Sequence, residues 1–501
     1  MSLKLMIGGS GSGKTELLYK NMIDMSLAEP DGRFFIIVPE QATMQAQKEL
    51  IRLHPQHGTM NIDVLSFKRL AYRVFSELSL PQPALLDDTG KVMVLRKLAG
   101  EKKKELSMFS SHLNQPGFLD EVKSMLSELY QYGVSPETLR AETKKPGTSR
   151  ILSGKLDDMC LLYEAFKEFT KERYITMEEL LDVLCREVPR SKILKDSVIA
   201  LDGYTGFTPV QYRLIGLLLK TCRRLFVTVT ATENENLFEA GRESDLFDMS
   251  RKMAGKLAAI CKEAGTELEQ SEVLRTRPLA RFQKSPALDY LERTAFRYPY
   301  RPFKGKAGEL FFVQAENPAD EAEFAACEME RLVKEEGYRY RDMAVVCGDL
   351  SGYSRELVRR FEEYGIPFFL DEKKDVTGNP MIRLIKSSLS VLQGGFDYES
   401  MFQYLRTGLV SGETEKIDRL ENYVRALGIR GFSKWDSAWE RVYEGGEHIN
   451  LVELNEFREE ILAPLKSFRE KTEGQADIGT MTKALTGLLE ELSVEQKLLK
   501  I

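Results

Sequence analysis

Eight residues near the start of the chain, Gly8-Gly9-Ser10-Gly11-Ser12-Gly13-Lys14-Thr15, fit the spacing G-x-x-x-x-G-K-[ST] with nothing inserted. The chemistry that needs this pattern is the holding of a triphosphate. Glycines let successive backbone N–H groups curl around phosphate oxygens that a Cβ would obstruct. Lys14 would reach the β- and γ-phosphates, and the Thr15 hydroxyl would ligate Mg²⁺. ATP and Mg²⁺ are therefore the ligands this segment predicts, against the blander alternative of a turn that only links two elements. Such a loop needs a strand to deliver it and a helix to present free N–H groups and a positive dipole end. Leu3–Ile7 reads as that strand and the sequence from Glu16 as that helix.

A nucleotide-hydrolysing site also needs a carboxylate at the end of a neighbouring buried strand. Ser197-Val198-Ile199-Ala200-Leu201-Asp202 supplies one, predicting Asp202 as a second Mg²⁺ ligand beside Thr15. In motor ATPases the next residue is a Glu that orients and deprotonates water, whereas here it is Gly203. Loss of a general base costs about 10²–10⁴-fold in rate. No catalytic residue is assigned, and the expectation is a site that holds ATP more than it hydrolyses it. The alternative is that Asp202-Gly203 is an ordinary turn and the acid lies elsewhere.

The elements around these residues alternate. Strands are expected over Arg33–Val38, Met60–Leu65 and Arg224–Thr230, each with a helix after it or before the next, which argues an α/β fold with a parallel sheet and ligands at the strands' carboxyl ends. Ser66 is a plausible N-cap for a helix through Tyr72. The expected organisation is a first α/β domain over 1–75 plus 196–270, interrupted by a helical insertion at 76–195 whose two hairpins part at Lys145-Pro146-Gly147-Thr148-Ser149. Residues 271–306 form a basic linker, 307–405 part of a second α/β domain, and 406–501 a further helical insertion. In the linker, nine Lys/Arg face three acids (Glu272, Asp289, Glu292), with Phe282, Tyr290, Phe296, Tyr298, Tyr300 and Phe303 interleaved. Basic groups for phosphates and aromatic faces for bases suit a single-strand groove, and a solvated charge run explains them as well. In the second domain, strands are expected at Leu310–Val313, Met343–Cys347 and Ile366–Leu370.

The whole chain, 501 residues with a net charge of −6 and 43% hydrophobic residues, is that of a globular protein and excludes a disordered or uniformly basic one. Six cysteines without a CxxC pair make no disulfide framework, and the His54/His57 pair has no second half for a metal site. No apolar run is long enough to span a bilayer, so the expectation is a cytoplasmic protein with no membrane association. The end at Lys497–Ile501 carries no terminating signal, which suggests a truncated chain.

Two α/β units, the first with a phosphate turn and a helical insertion, resemble the superfamily 1 helicases with their paired RecA-like domains. Four segments narrow the resemblance to AddB-type B subunits of the bacterial ATP-dependent helicase/nuclease (AddAB, RexAB-like). They are Ile7–Thr15, Val38-Pro39-Glu40-Gln41-Ala42-Thr43, Leu65-Ser66-Phe67-Lys68-Arg69-Leu70-Ala71 and Asp202-Gly203-Tyr204-Thr205-Gly206-Phe207-Thr208-Pro209. Glu316–Ala322 resembles the entry to a second motor domain. The departures from active helicases fit this branch: no adenine-reading glutamine segment precedes Gly8, and Ala231–Asn236 stands where a GDxxQ-type sensor is expected.

The resemblance implies a degenerate helicase that pairs with an AddA-type motor/nuclease subunit, binds single-stranded and duplex DNA, and scans a passing strand for a recombination hotspot (Chi) during double-strand-break repair. It implies an exonuclease domain with an iron–sulfur cluster only in a C-terminal part absent here, so none of the six cysteines is assigned to a cluster. Carried to matching positions, Gln41, Thr43, Phe67, Arg69, Tyr72 and Phe207 would lie along the DNA path. Phe67 also has core spacing with Leu70 and Val74, Arg69 reads equally as a surface charge, and Phe207 as packing against a helix from Pro209. The rivals are an active superfamily 1 helicase/ATPase and, less in keeping with the second unit, a small-molecule kinase.

Overall fold

The computed structural model describes residues 1–80, 84–143, 149–171, 174–232, 235–239, 241–299, 301–370, 376–443, 449–474 and 477–499. The chain divides into two compact units, Met1–Phe312 and Val313–Ile501.

The first unit begins with three strand–helix pairs: β1 (Ser2–Gly8) and α1 (Lys14–Ala28), β2 (Phe34–Ile37) and α2 (Thr43–Leu53), β3 (Ile62–Leu65) and α3 (Phe67–Glu77). Ser66 caps α3, its Oγ accepting from the Arg69 N–H at 3.4 Å. A helical block follows, with a two-stranded ladder of β4 (Ala84–Leu85) and β5 (Tyr174–Ile175) and helices α4 (Asp88–Glu101), α5 (Phe118–Gln131), α6 (Pro136–Thr143), α7 (Arg150–Thr170) and α8 (Met177–Glu187). It has its own core around Leu95, Leu119, Leu126, Leu162 and Phe166. The expected hairpin break at Lys145–Thr148 lies outside the described residues, but Ser149 caps α7 through the Leu152 N–H.

The chain then returns to the sheet with β6 (Val198–Leu201), α9 (Pro209–Leu219), β7 (Arg224–Thr230), α10 (Asp248–Glu263), β8 (Glu267–Leu268), β9 (Glu272–Val273) and α11 (Pro286–Thr294). Seven strands pair in the order β3-β2-β6-β7-β1-β8, with β9 also on β1, and every pairing is parallel. Side chains alternate between two cores. Leu3, Leu5, Ile7, Ile199, Leu201 and Val227 face one side, while Met6, Ile36, Ala200 and Phe226 face the other. Strands covered on both faces must be apolar throughout, which is why these runs show no polar alternation. Because all strands run the same way, the segments after β1, β2, β3 and β6 emerge on one side of the sheet.

Residues 271–306, read from the sequence as a linker, pack instead as part of this first unit. β9 pairs with β1, Leu279 is buried, and α11 lies beyond it. The three acids that seemed to dilute the basic run are used inward: Glu272 pairs with Lys4 at 2.6 Å, while Asp289 and Glu292 both pair with Arg277. Most of the basic side chains, Arg275, Arg281, Lys284, Arg293, Arg301, Lys304 and Lys306, point to solvent. Phe296 and Tyr298 are almost fully exposed, and Tyr300 lies outside the described residues.

In the second unit, α12 (Pro318–Glu336) and α13 (Leu350–Glu363) form as expected and pack through Ala322, Ala326, Leu357 and Phe361. The strands expected at Leu310–Val313, Met343–Cys347 and Ile366–Leu370 do not pair, and no sheet forms among the described residues of this unit. Phe312, Val346 and Phe369 are exposed. Strand propensity is insufficient for a parallel strand, which needs a paired neighbour and covering helices on both faces. The rest is helical: α14 (Pro380–Gln393), α15 (Tyr398–Leu405), α16 (Thr414–Leu427), α17 (Phe432–Asp436), α18 (Leu451–Thr472), α19 (Ile478–Glu491) and α20 (Val494–Leu498), around a core holding Trp435 and Trp439. Among the described residues no helix is long and apolar enough to cross a membrane.

Candidate functional site

The segment after β1 turns back on itself before α1 begins. Ser12 N–H donates to the Gly9 carbonyl at 3.2 Å, and Gly11 and Gly13 take φ of +86° and +92°, values that impose a steric cost on any side chain. Gly13 is the N-cap of α1 and offers no side-chain acceptor, so the first-turn N–H groups are left for another partner. Ser12 Oγ is buried without a hydrogen-bond partner. Lys14 Nζ folds over the turn onto the Gly9 carbonyl at 2.9 Å. Burial lowers the Lys14 pKa; Asp202 and Glu292 oppose that shift and Arg281 adds to it.

Asp202 stands at the end of β6 and is buried. Its Oδ1 accepts from Thr228 Oγ1 on β7 at 2.7 Å and from Thr15 Oγ1 at 3.3 Å, bringing together the two residues expected to share a cation. Burial, with Asp202 beside it, pushes the Tyr19 phenol well up, so this ring remains a neutral donor toward the carboxylate. The donor set suits Mg²⁺, which takes one or two protein oxygens and completes its shell with phosphates and water. No group of three or more His, Cys, Asp and Glu among the described residues could hold a metal. Any cation here would depend on phosphate oxygens.

Gly203 takes φ of +79°. The position differs from a motor's in backbone shape as well as in side chain. Gly203→Glu is expected to cost about 1–2 kcal/mol because the left-handed region penalises a Cβ. Chemical denaturation of the variant checks this, and unchanged stability would mean the turn relaxes freely.

The six residues expected on a DNA path all follow β2, β3 or β6 and so lie at the sheet's carboxyl side. Their side chains differ in availability. Gln41 and Arg69 are exposed, and Tyr72 and Phe207 are half-buried. Phe67 is a correction: at 6% exposure its ring packs 5.5 Å from Tyr204 and 6.4 Å from Phe207, as its core spacing allowed, and offers no face to a base. Thr43 is also buried, its hydroxyl donating to the Glu40 carbonyl at 2.9 Å to close the turn before α2. Phe207 meets Tyr212 of α9 edge-on at 5.5 Å.

Sequence reasoning missed the residues that cover the glycine turn. The Arg281 N–H donates to the Gly11 carbonyl at 3.0 Å, and a Cβ at Gly9 would lie 2.5 Å from Glu292 Oε1. Glu292 had counted only as one of three acids in a basic run, and no local spacing ties it to a loop some 280 residues earlier.

A family model described as "ADDB, N-terminal" matches residues 5–292, more than half of the chain. The chain belongs to the AddB family. Curated relatives, each named as the B subunit of an ATP-dependent helicase/deoxyribonuclease, include that of Lachnoclostridium phytofermentans, 39% identical over 99% of this chain and 44% of its own length. Those of Clostridium novyi and Acetivibrio thermocellus are each 33% identical, over 100% and 99% of this chain and 43% and 44% of their lengths. The chain thus spans a little under half the length of these AddB relatives.

Proposed function

We propose that this chain is the ATP-binding, DNA-contacting part of the B subunit of an ATP-dependent helicase/deoxyribonuclease, with little or no turnover of its own. One observation carries the reading: a glycine turn with Lys14, Thr15 and Asp202 gathered at it, beside a Gly203 that has no side chain to activate water. The turn's N–H groups and Lys14 would take the phosphate oxygens, the orphaned Ser12 hydroxyl would gain a partner, and Thr15 with Asp202 would hold Mg²⁺. Mg²⁺ would supply charge neutralisation between the β- and γ-phosphates.

DNA would cross the carboxyl side of the sheet near Gln41, Arg69, Tyr72 and Phe207, with the basic side chains after Ser271 binding phosphates. By analogy with the relatives' name, a partner subunit of AddA type completes a cytoplasmic complex that processes broken duplex ends, and scanning of a single strand for a hotspot such as Chi is this chain's share.

The test is a steady-state ATPase assay with single-stranded DNA alongside a nucleotide-binding titration. Saturable ATP binding with turnover below about one-hundredth of a motor's is expected, given the missing base. DNA-stimulated turnover at motor rates would overturn the reading. The rival of an active ATPase has one observation in its favour, the Glu292 carboxylate beside Lys14. Against it, Glu292 Oε2 is already engaged by Arg277 Nη1 at 3.0 Å.

A further inference from the structure

Three independent contacts seat the segment 277–292 on the glycine turn. β9 ties the residues that lead into it to β1, and Leu274 N–H donates to the Ile7 carbonyl at 2.8 Å just before the turn begins. Its middle lies across the loop, with Arg281 N–H on Gly11 and the Leu279 side chain close to Gly9. Its end brings the Glu292 carboxylate against Gly9, the residue whose carbonyl also accepts from Lys14 Nζ.

The segment is braced from within. Arg277 Nη1 bridges Asp289 Oδ1 at 3.2 Å and Glu292 Oε2 at 3.0 Å, and Asp289 Oδ1 also accepts from the Leu279 N–H at 2.8 Å. Both carboxylates are largely shielded from water. A negative side chain is therefore held, and aimed, at a loop whose other features suit an anion.

Where it is aimed matters. In a G-x-x-x-x-G-K-[ST] loop the lysine reaches the β- and γ-phosphates, whereas the N–H groups entering the helix hold the phosphates nearer the nucleoside. Glu292 is at the lysine's end, near the ground a terminal phosphate would take. An anion arriving there meets a like charge in a partly dehydrated setting.

We propose that Glu292 sets this site's discrimination between nucleoside diphosphates and triphosphates. With the 277–292 segment seated, the loop takes a diphosphate. A triphosphate binds only as Glu292 leaves Gly9, so its binding lifts the segment and turns the nucleotide's state into a change at the base of the exposed basic–aromatic stretch. The inference rests on the nucleotide-site reading above and adds to it a residue and a direction.

The experiment compares ATP and ADP affinities, with Mg²⁺, for wild type, Glu292→Gln and Lys14→Ala, with hydrogen–deuterium exchange of peptides across 277–292 in each state. Glutamine keeps the shape and removes the charge. Glu292→Gln is expected to tighten ATP by about tenfold and to change ADP by less than about twofold, since the repulsion acts on the terminal phosphate. Exchange in 277–292 of the wild type should rise with ATP and stay level with ADP. Equal changes for both nucleotides, or exchange that ignores the terminal phosphate, would overturn the proposal while leaving the nucleotide site standing. If no protein in the set binds either nucleotide, the site reading itself fails and the inference falls with it. Turnover in wild type that Glu292→Gln abolishes would make Glu292 a base and overturn the discriminator role.

Discussion

Lys14→Ala is expected to weaken Mg·ATP binding by about a hundredfold or more. A charge-assisted hydrogen bond contributes about 1.5–3 kcal/mol, and the ammonium would make one to each of two phosphate oxygens; about 1.4 kcal/mol is a factor of ten in affinity. The rest of the fold should not notice. In the structure this ammonium donates to the Gly9 carbonyl of its own turn, with Asp202, Glu292 and Arg281 near enough to act on it electrostatically. Thermal unfolding of Lys14→Ala should therefore match wild type closely while nucleotide titration shows the loss. Retained affinity in a folded Lys14→Ala protein would remove the triphosphate reading of the turn. Because Lys14 does not touch the exposed residues at Gln41 and Arg69, binding of a short single strand without nucleotide should persist.

The largest stability effect is expected in the second unit, at Arg458. This side chain is only 1% exposed. Its guanidinium donates to the Trp435 carbonyl at 2.5 Å and to Asn455 Oδ1 at 3.2 Å, and lies 5.6 Å from the centre of the Trp439 ring. Asn455 in turn bonds both the N–H and the carbonyl of Trp439 at 2.9 Å. Arg458→Ala removes the donor to a buried carbonyl and opens a cavity beside the Trp439 indole. About 3 kcal/mol or more should be lost from unfolding of this unit. Both tryptophans of the chain sit in this core, so urea denaturation followed by their fluorescence reports on it directly. Arg458→Lys should recover only part of the loss, since a lysine cannot serve the Trp435 carbonyl and Asn455 in one plane. A loss below about 1 kcal/mol for the alanine variant would mean water fills the gap and satisfies the carbonyl.

The contrast between these two residues shows where sequence reading succeeds. Lys14 was legible because a phosphate turn needs its glycines, lysine and hydroxyl within eight consecutive residues. The strands around it were legible for a similar reason: a strand covered on both faces is a short continuous apolar run, as at Phe34–Ile37 and Val198–Leu201. Asp202 belonged to the same signal, an acid immediately after such a run. Arg458, by contrast, looks like any charged residue on a helix rich in Glu and Lys, and only the packing of α17 and α18 turns it inward.

Expectations failed where a local pattern met a competing or absent partner. Phe67 carried both a stacking and a core reading, and the approach of Tyr204 and Phe207 from after β6 buried it. Leu310–Val313, Met343–Cys347 and Ile366–Leu370 have strand composition, yet a ladder is made by two chains of hydrogen-bonding groups and these have none opposite them among the described residues.

Whatever depends on neighbours along the chain could be read directly: the turn's glycines, the capping serine at 66, the apolar strands and the carboxylate that ends one of them. Contacts between distant segments could not. The seating of residues 277–292 on the glycine turn, the aim of Glu292 at Gly9 and the outward basic face left when three acids turned inward depend on how a seven-stranded sheet brings its last strands beside its first. Spacing along the sequence carries no record of such approaches, because they are selected by the burial of whole surfaces and not by any one residue's preference.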